Sequence, residues 1–208
     1  MKKLTLPLIA AALAACTSAN TDAQTSKAPA AEKLSVVDST GSDSAIFAGG
    51  CFWCVESDFE KLDGVYEVVS GYTGGDMQNP TYRNHGVHVE GAKVIYDPKV
   101  VSYETLLDFY WKHIDPTDDG GQFCDRGHAY IPVIYARPDQ MKAAELSKAE
   151  IERTKPFTSP IVVPILPAKT FWDAEDYHQD YYKKNPVHYQ RYRRGCRRDA
   201  RLEQLWNK

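Results

Sequence analysis

One continuous run, Ala45-Ile46-Phe47-Ala48-Gly49-Gly50-Cys51-Phe52-Trp53-Cys54-Val55-Glu56, constrains this chain more than any other. Its apolar start reads as a buried strand, its glycine pair as a tight turn, and the rest as the first turn of a helix. Apolar residues continue at Phe59 and Leu62, so with Phe52 and Val55 the spacings of three and four make one helix face. Asp63-Gly64 stops the helix. Cys51 therefore stands on a glycine turn at a helix start. The free N–H groups and the dipole there favour a thiolate, the nucleophilic form of sulfur. Phe52 and Trp53 cannot both point inward from adjacent helix positions, so at least one flanks that sulfur. An aromatic wall of this kind favours sulfur-containing groups and methyls.

The pattern beyond this run sets the fold class. Val65–Tyr72 and His88–Tyr96 read as strands, the first ending in Gly71-Tyr72-Thr73-Gly74-Gly75 and the second at Asp97-Pro98. Residues 76–85 read as a loop with an Asn79-Pro80 turn. Ser102–Ile114 is an amphipathic helix with Leu106, Leu107, Tyr110 and Trp111 inward. Asp115–Arg126 is a polar loop and Tyr130–Tyr135 a strand. Pro138–Arg153 is a helix, Ile161–Ile165 a short proline-bearing strand, and Phe171–Lys183 partly helical. Helices collected on one mixed or antiparallel sheet give an α+β two-layer sandwich, expected as a ferredoxin-like plait. The glycines before Cys51 lack the G-x-G-x-x-G form, so a dinucleotide-binding fold is not indicated.

The N-terminus reads as an export signal. Lys2 and Lys3 precede a short apolar core, Leu4–Ala15, too short to span a bilayer. Leu13-Ala14-Ala15-Cys16 resembles a bacterial lipobox, which implies cleavage before Cys16 and lipidation of that residue. Thr17 is not the aspartate that retains lipoproteins at an inner membrane. The expectation is a lipid anchor in a bacterial membrane, the outer one facing the periplasm. Residues 16–43 hold no aromatic residue and are rich in Ala, Ser, Thr, Asp and Lys, the composition of a flexible tether. The organisation expected is a leader over 1–15, a tether over 16–43 and one domain over 44–208.

The formal net charge of −3 decides little, but its distribution does. From Lys183 onward basic residues far outnumber the two acids, Asp199 and Glu203, while residues 44–182 are acidic. A tail packed on an acidic body is expected rather than nucleic-acid binding. Beyond Cys16 four cysteines remain: Cys51, Cys54, Cys124 and Cys196. The domain is too large to need disulfide staples. Cys-x-x-Cys with Cys124 and His128 could hold a metal, but Phe-Trp between the cysteines argues against it. Glu90, among apolar strand neighbours, is a candidate acid with a raised pKa.

In order along the chain stand G-C-F-W, G-Y-x-G-G, N-P-T-Y, H-x-E, Y-D-P, D-x-G-x-x-Y and A-E-D-Y-H-Q-x-Y-x-x-K-N-P. This set resembles peptide methionine sulfoxide reductase of type A over residues 44–190. The resemblance implies a cofactor-free monomer that reduces the S epimer of methionine sulfoxide, free or in oxidised proteins. Cys51 matches the nucleophile and Glu90 the acid that protonates the sulfoxide oxygen. Tyr82 and Tyr130 match hydroxyls that hold that oxygen, Asp125 a supporting acid, and Phe52 and Trp53 the methyl pocket. The resulting sulfenic acid condenses with a second thiol, and thioredoxin or a thioredoxin-like donor reduces the disulfide. Cys196 and Cys54 are rival resolving thiols, with Cys196 slightly favoured. Cys124 is expected to be a small buried residue. A thioredoxin-like disulfide oxidoreductase is the alternative class.

Overall fold

The computed structural model describes Met1 and residues 41–206. Cys16, the expected leader beyond Met1 and nearly all of the expected tether lie outside the described residues. Eight strands and six helices follow: β1 Asp43–Gly49, α1 Phe52–Phe59, β2 Val65–Thr73, β3 Val89–Tyr96, α2 Tyr103–Trp111, β4 Gly121–Gln122, β5 Asp125–Arg126, β6 Pro132–Ala136, α3 Met141–Thr154, β7 Ile165–Pro167, β8 Trp172–Asp173, α4 Tyr181–Lys184, α5 Pro186–Gly195 and α6 Arg198–Trp206. A 3-10 turn over His128–Tyr130 precedes β6. The main sheet runs β7-β6-β1-β3-β2-β8, antiparallel throughout except for the parallel β6–β7 pair. The sheet is mixed and the fold is α+β, as the pattern of strands and helices predicts.

Strand β1 lies inside the sheet, and alternation sends its side chains to two faces. Ala45 and Phe47 enter the larger core with Val55, Phe59, Leu106, Leu107, Tyr110 and Trp111 from α1 and α2. Ile46 and Ala48 pack on the other face with Val89, Val133, Tyr135 and Phe171. Both faces are covered, which explains an unbroken apolar run in place of alternation. Ser102 caps α2 by accepting from the Thr105 amide at 3.2 Å. Tyr110 of α2 donates to the Ala48 carbonyl at 2.7 Å and ties that helix to the last turn of β1.

The β4–β5 ribbon forms inside the expected polar loop and β8 inside the expected partly helical stretch, and two further elements differ from the sequence reading. The strand expected over 161–165 begins only at Ile165, after Pro164. Proline lacks the N–H that the ladder needs. The C-terminal segment forms α5 and α6 and docks on α1 through buried arginines. Arg193 donates to Asp58 at 3.1 Å, and the Nε of Arg198 lies 3.7 Å from the same carboxylate. The basic tail thus packs on the acidic body, as its charge pattern predicts.

Among the described residues no helix is long and apolar enough to cross a membrane.

Candidate active site

The glycine turn before α1 sets the position of the first cysteine. Gly50 has φ +83°, and a Cβ there would lie 2.6 Å from that of Gln122. Gln122 is wholly buried and clamps the 115–122 loop, accepting from the Asp115 amide and donating to its carbonyl, both at 2.8 Å. Cys51 follows as the N-cap of α1. The first amide of the helix, Phe52 N–H, donates to Glu90 Oε2 at 3.0 Å across from β3. The helix start therefore holds a carboxyl group directly beside the cysteine.

Cys51, Phe52, Trp53, Tyr82, Glu90, Asp125, Tyr130 and Tyr192 line one cavity of about 60 Å³. Five separate segments meet there, and every expected catalytic and substrate-binding residue is among them. Phe52 is buried with Tyr72, Trp172 and Ala174. Trp53 is half-buried, its indole donating to His178 Nδ1 at 3.1 Å and stacked on Tyr181. Asp125 accepts from the hydroxyl of Tyr192.

Burial fixes the proton inventory. It is the main cause that raises the Glu90 pKa to about 8, against the opposing bond from Phe52 and with help from Asp125. Glu90 is thus a neutral acid at pH 7. Burial likewise raises Tyr82 and Tyr130, which stay protonated donors. Burial also raises Asp125, with the bond from Tyr192 opposing it.

The thiols correct one expectation. Burial is the main influence on Cys51, which is pushed well above the ordinary thiol range, with Cys54 and Glu90 adding to the rise. The Cys51 thiol instead holds Cys54 down to about 7, with Arg198 and Arg193 assisting against burial. Both influences have a place in the fold: the helix-start amide is bound to Glu90, and the charges of Arg198 and Arg193 act on the second sulfur.

Cys124 corrects another. It is exposed, and it is bonded to Cys196 across 72 residues. Cys51 and Cys54 are both free and buried. The metal reading gains nothing: among the described residues the clusters with ligand spacing are Cys124, Asp125 and Cys196, and Glu56, Glu60 and Asp180, neither containing the Cys-x-x-Cys pair.

Sequence reasoning missed three participants. Tyr192 lies outside every motif quoted above, in the basic C-terminal run, although it lines the cavity. His178, inside A-E-D-Y-H-Q, holds Trp53 and was not singled out. Arg198 approaches Cys54 from a segment with no recognisable motif; only its place in a basic run hinted at burial on an acid.

An activated thiol pair, a neutral carboxylic acid and two phenols around a small cavity define a cysteine-dependent oxidoreductase site. The family model described as peptide methionine sulfoxide reductase matches residues 43–208. A relative in Staphylococcus aureus strain MW2, peptide methionine sulfoxide reductase MsrA 2, is 51% identical over 167 residues, covering 78% of this chain and 94% of its own. The reduced-form crystal structure of Mxr1 from Saccharomyces cerevisiae is similar with a TM-score of 0.67 at 30% identity, covering 73% of this chain and 90% of that one. Mxr1 in complex with Trx2 is similar with a TM-score of 0.51 at 25% identity, covering 72% and 91%. The chain belongs to the peptide methionine sulfoxide reductase family.

Proposed function

We propose that this chain reduces the S epimer of methionine sulfoxide to methionine, free and in oxidised proteins, with Cys51 as nucleophile. The observation that carries the reading is the neutral Glu90 fixed beside Cys51 at the helix start, with the Tyr82 and Tyr130 hydroxyls in the same cavity. A sulfoxide oxygen leaves poorly until protonated. Glu90 supplies the proton while Tyr82 and Tyr130 hold the oxygen, with Asp125 supporting them. Phe52 and Trp53 enclose the methyl on sulfur. Cys51 bonds to the sulfoxide sulfur; methionine departs and Cys51 is left as a sulfenic acid, oxidised by two electrons. A second thiol condenses with it, releasing water. A thioredoxin-like dithiol donor restores the thiols, a reading supported by the Mxr1 structure with Trx2.

The test supplies each epimer of N-acetylmethionine sulfoxide separately with dithiothreitol. Consumption of S alone, abolished by Cys51→Ser, is expected. Consumption of R, or undiminished activity in Cys51→Ser, overturns the reading.

The same reading extends to placement. The strand order β6-β1-β3-β2, with helices after β1 and β3, supports a ferredoxin-like plait with β7 and β8 added at its edges. The reductase domain spans 44–208, acts as a monomer, and follows a 1–15 leader and a 16–43 tether. Cys16 carries lipid and anchors the enzyme to a bacterial membrane, the outer one, facing the periplasm. The short apolar core ending in Leu13-Ala14-Ala15-Cys16 supports this. Cys16→Ser is expected to move the protein from the membrane to the soluble fraction.

A further inference from the structure

His178 stands behind the cavity, not in its lining, yet it packs on three residues that do line it. Its ring centre lies 4.9 Å from that of Phe52, 4.7 Å from Tyr82 and 5.6 Å from Trp53. Its Nδ1 accepts from the Trp53 indole at 3.1 Å, and only 2% of the residue is exposed. The surrounding chain fixes it. The His178 amide donates to the Glu175 carbonyl at 2.8 Å, closing a turn. The Glu175 carboxylate accepts from the Tyr82 amide and the Tyr72 hydroxyl, both at 3.0 Å. Gln179 pairs with both backbone groups of Ser70 on β2, each at 2.9 Å. One short turn is thus tied to β2 and to the loop that carries Tyr82.

The imidazole is held in one form. Burial pushes its pKa below the usual histidine value, against the pull of the Glu175 carboxylate, so the ring is neutral at pH 7. With Nδ1 accepting, the proton sits on Nε2. That Nε2 is buried and has no hydrogen-bond partner among the described residues. Packing alone would be better served by phenylalanine, which suits the same aromatic cluster and leaves no buried donor unsatisfied. What histidine adds is the acceptor for the indole. Trp53 is half-buried and stacked on Tyr181, with ring centres 3.7 Å apart. Stacking lets a ring slide in its own plane, and the directional bond to Nδ1 removes that freedom.

We infer that His178 is a positioning residue that sets the size of the methyl pocket, holding Trp53 in one place against Phe52 and so excluding sulfoxides with a group larger than methyl on sulfur. This rests on the reductase reading above, in which those two rings enclose the methyl. A wall bonded to a rigid turn cannot yield to an extra methylene, whereas a wall free to slide can. A fixed apolar pocket discriminates by one methylene about 10- to 200-fold.

The test measures kcat/KM of the full chain, with dithiothreitol, for the S epimers of methionine sulfoxide and ethionine sulfoxide, which differ by that methylene. Both substrates share every proton and thiol step, so the ratio reports the pocket. Wild type should favour the methyl compound at least about tenfold. His178→Phe and His178→Leu remove the acceptor with and without an aromatic ring, and each should lower the ratio to about threefold or less. His178→Asn, whose side-chain oxygen replaces Nδ1 as acceptor, should keep the ratio within about twofold of wild type. Trp53→Phe has no indole N–H, so adding His178→Phe to it should move the ratio by less than about twofold. A merely structural histidine would slow both substrates alike and leave the ratio unchanged. The inference is overturned if the folded His178→Phe or His178→Leu variant keeps the wild-type ratio, if His178→Asn relaxes as far as they do, or if the double variant relaxes well beyond Trp53→Phe. A wild-type ratio near one overturns it as well. Wild-type protein that consumes neither sulfoxide overturns the reductase reading, and this inference with it.

Discussion

At the residue scale, the proposed catalysis depends on two carriers whose ordinary pKa values are each displaced by burial and partners. Cys54 loses its proton near pH 7 while Cys51 keeps its own. The singly ionised pair still contains a nucleophile, because the proton between the sulfurs can pass to Cys54 and leave Cys51 as thiolate. That pair forms as pH rises through about 7. Glu90 holds the acid form until about 8. Single-turnover methionine formation is therefore expected to rise to about pH 7 and decline above about pH 8, a bell set by different residues on its two sides. Cys54→Ser should move the acid limb upward past the ordinary thiol range. Glu90→Gln should remove the alkaline limb and lower the rate at pH 7 by roughly 10²- to 10⁴-fold. A stopped-flow or quenched-flow pH series checks both. Glu90 also carries a stability cost of known sign. Its folded pKa lies above the ordinary value of 4.5, so as pH rises the unfolded chain ionises first and the native state loses ground until about pH 8. Glu90→Gln should accordingly melt higher than wild type at pH 8 and alike at pH 4. Gain of stability on loss of an active-site acid is the expected trade.

At the scale of elements, α1 is the junction on which the site depends, and it is held at both ends by features of different legibility. The entry is Gly50, whose left-handed φ and close approach to Gln122 leave no room for a side chain. Gly50→Ala should push the turn off the 115–122 loop, displace Cys51 from Glu90 and lower kcat/KM by at least tenfold, with a loss of stability beyond the ~1 kcal/mol of an ordinary glycine substitution. Measuring activity and urea midpoint together separates the two effects. The other hold is Asp58, buried against Arg193 and Arg198. Burial alone would raise its pKa, but the two guanidinium groups outweigh it and keep it below the usual carboxylate value. Asp58→Ala leaves two buried cations partly uncompensated and should cost about 3–5 kcal/mol in a denaturant titration. The glycine turn, the α1 face and the paired strands were all readable, because each is a local pattern with its own spacing. The docking of α5 and α6 was not, because an arginine that buries itself against a distant aspartate looks the same in sequence as one in solvent. The same blindness hid Tyr192 and the partner of Cys124. Cys124 was expected to be small and buried since no local pattern marks a bond across 72 residues.

For the molecule as a whole, that bond joins the β4–β5 ribbon to the α5–α6 corner, the two pieces that flank the cavity from outside the main sheet. Phe123 beside it lies under the guanidinium of Arg198, 4.5 Å from its ring centre, so the corner is anchored to the body next to Cys54 as well. A covalent link closing so long a loop restricts the unfolded chain far more than the folded one, by about 4 kcal/mol in the chain-entropy account. The inner pair, three residues apart, closes almost no loop. Stability should then follow the outer pair: reduction is expected to lower unfolding free energy by up to about 4 kcal/mol, and the Cys124→Ser/Cys196→Ser double variant should sit at the reduced position and not respond to reductant. Urea titrations with and without reductant measure this directly, and equal midpoints in wild type would refute it. Thermodynamic linkage makes the argument reciprocal. Whatever the outer bond adds to the fold, the fold returns to the outer bond, which is correspondingly harder to reduce in the native state than in the unfolded chain.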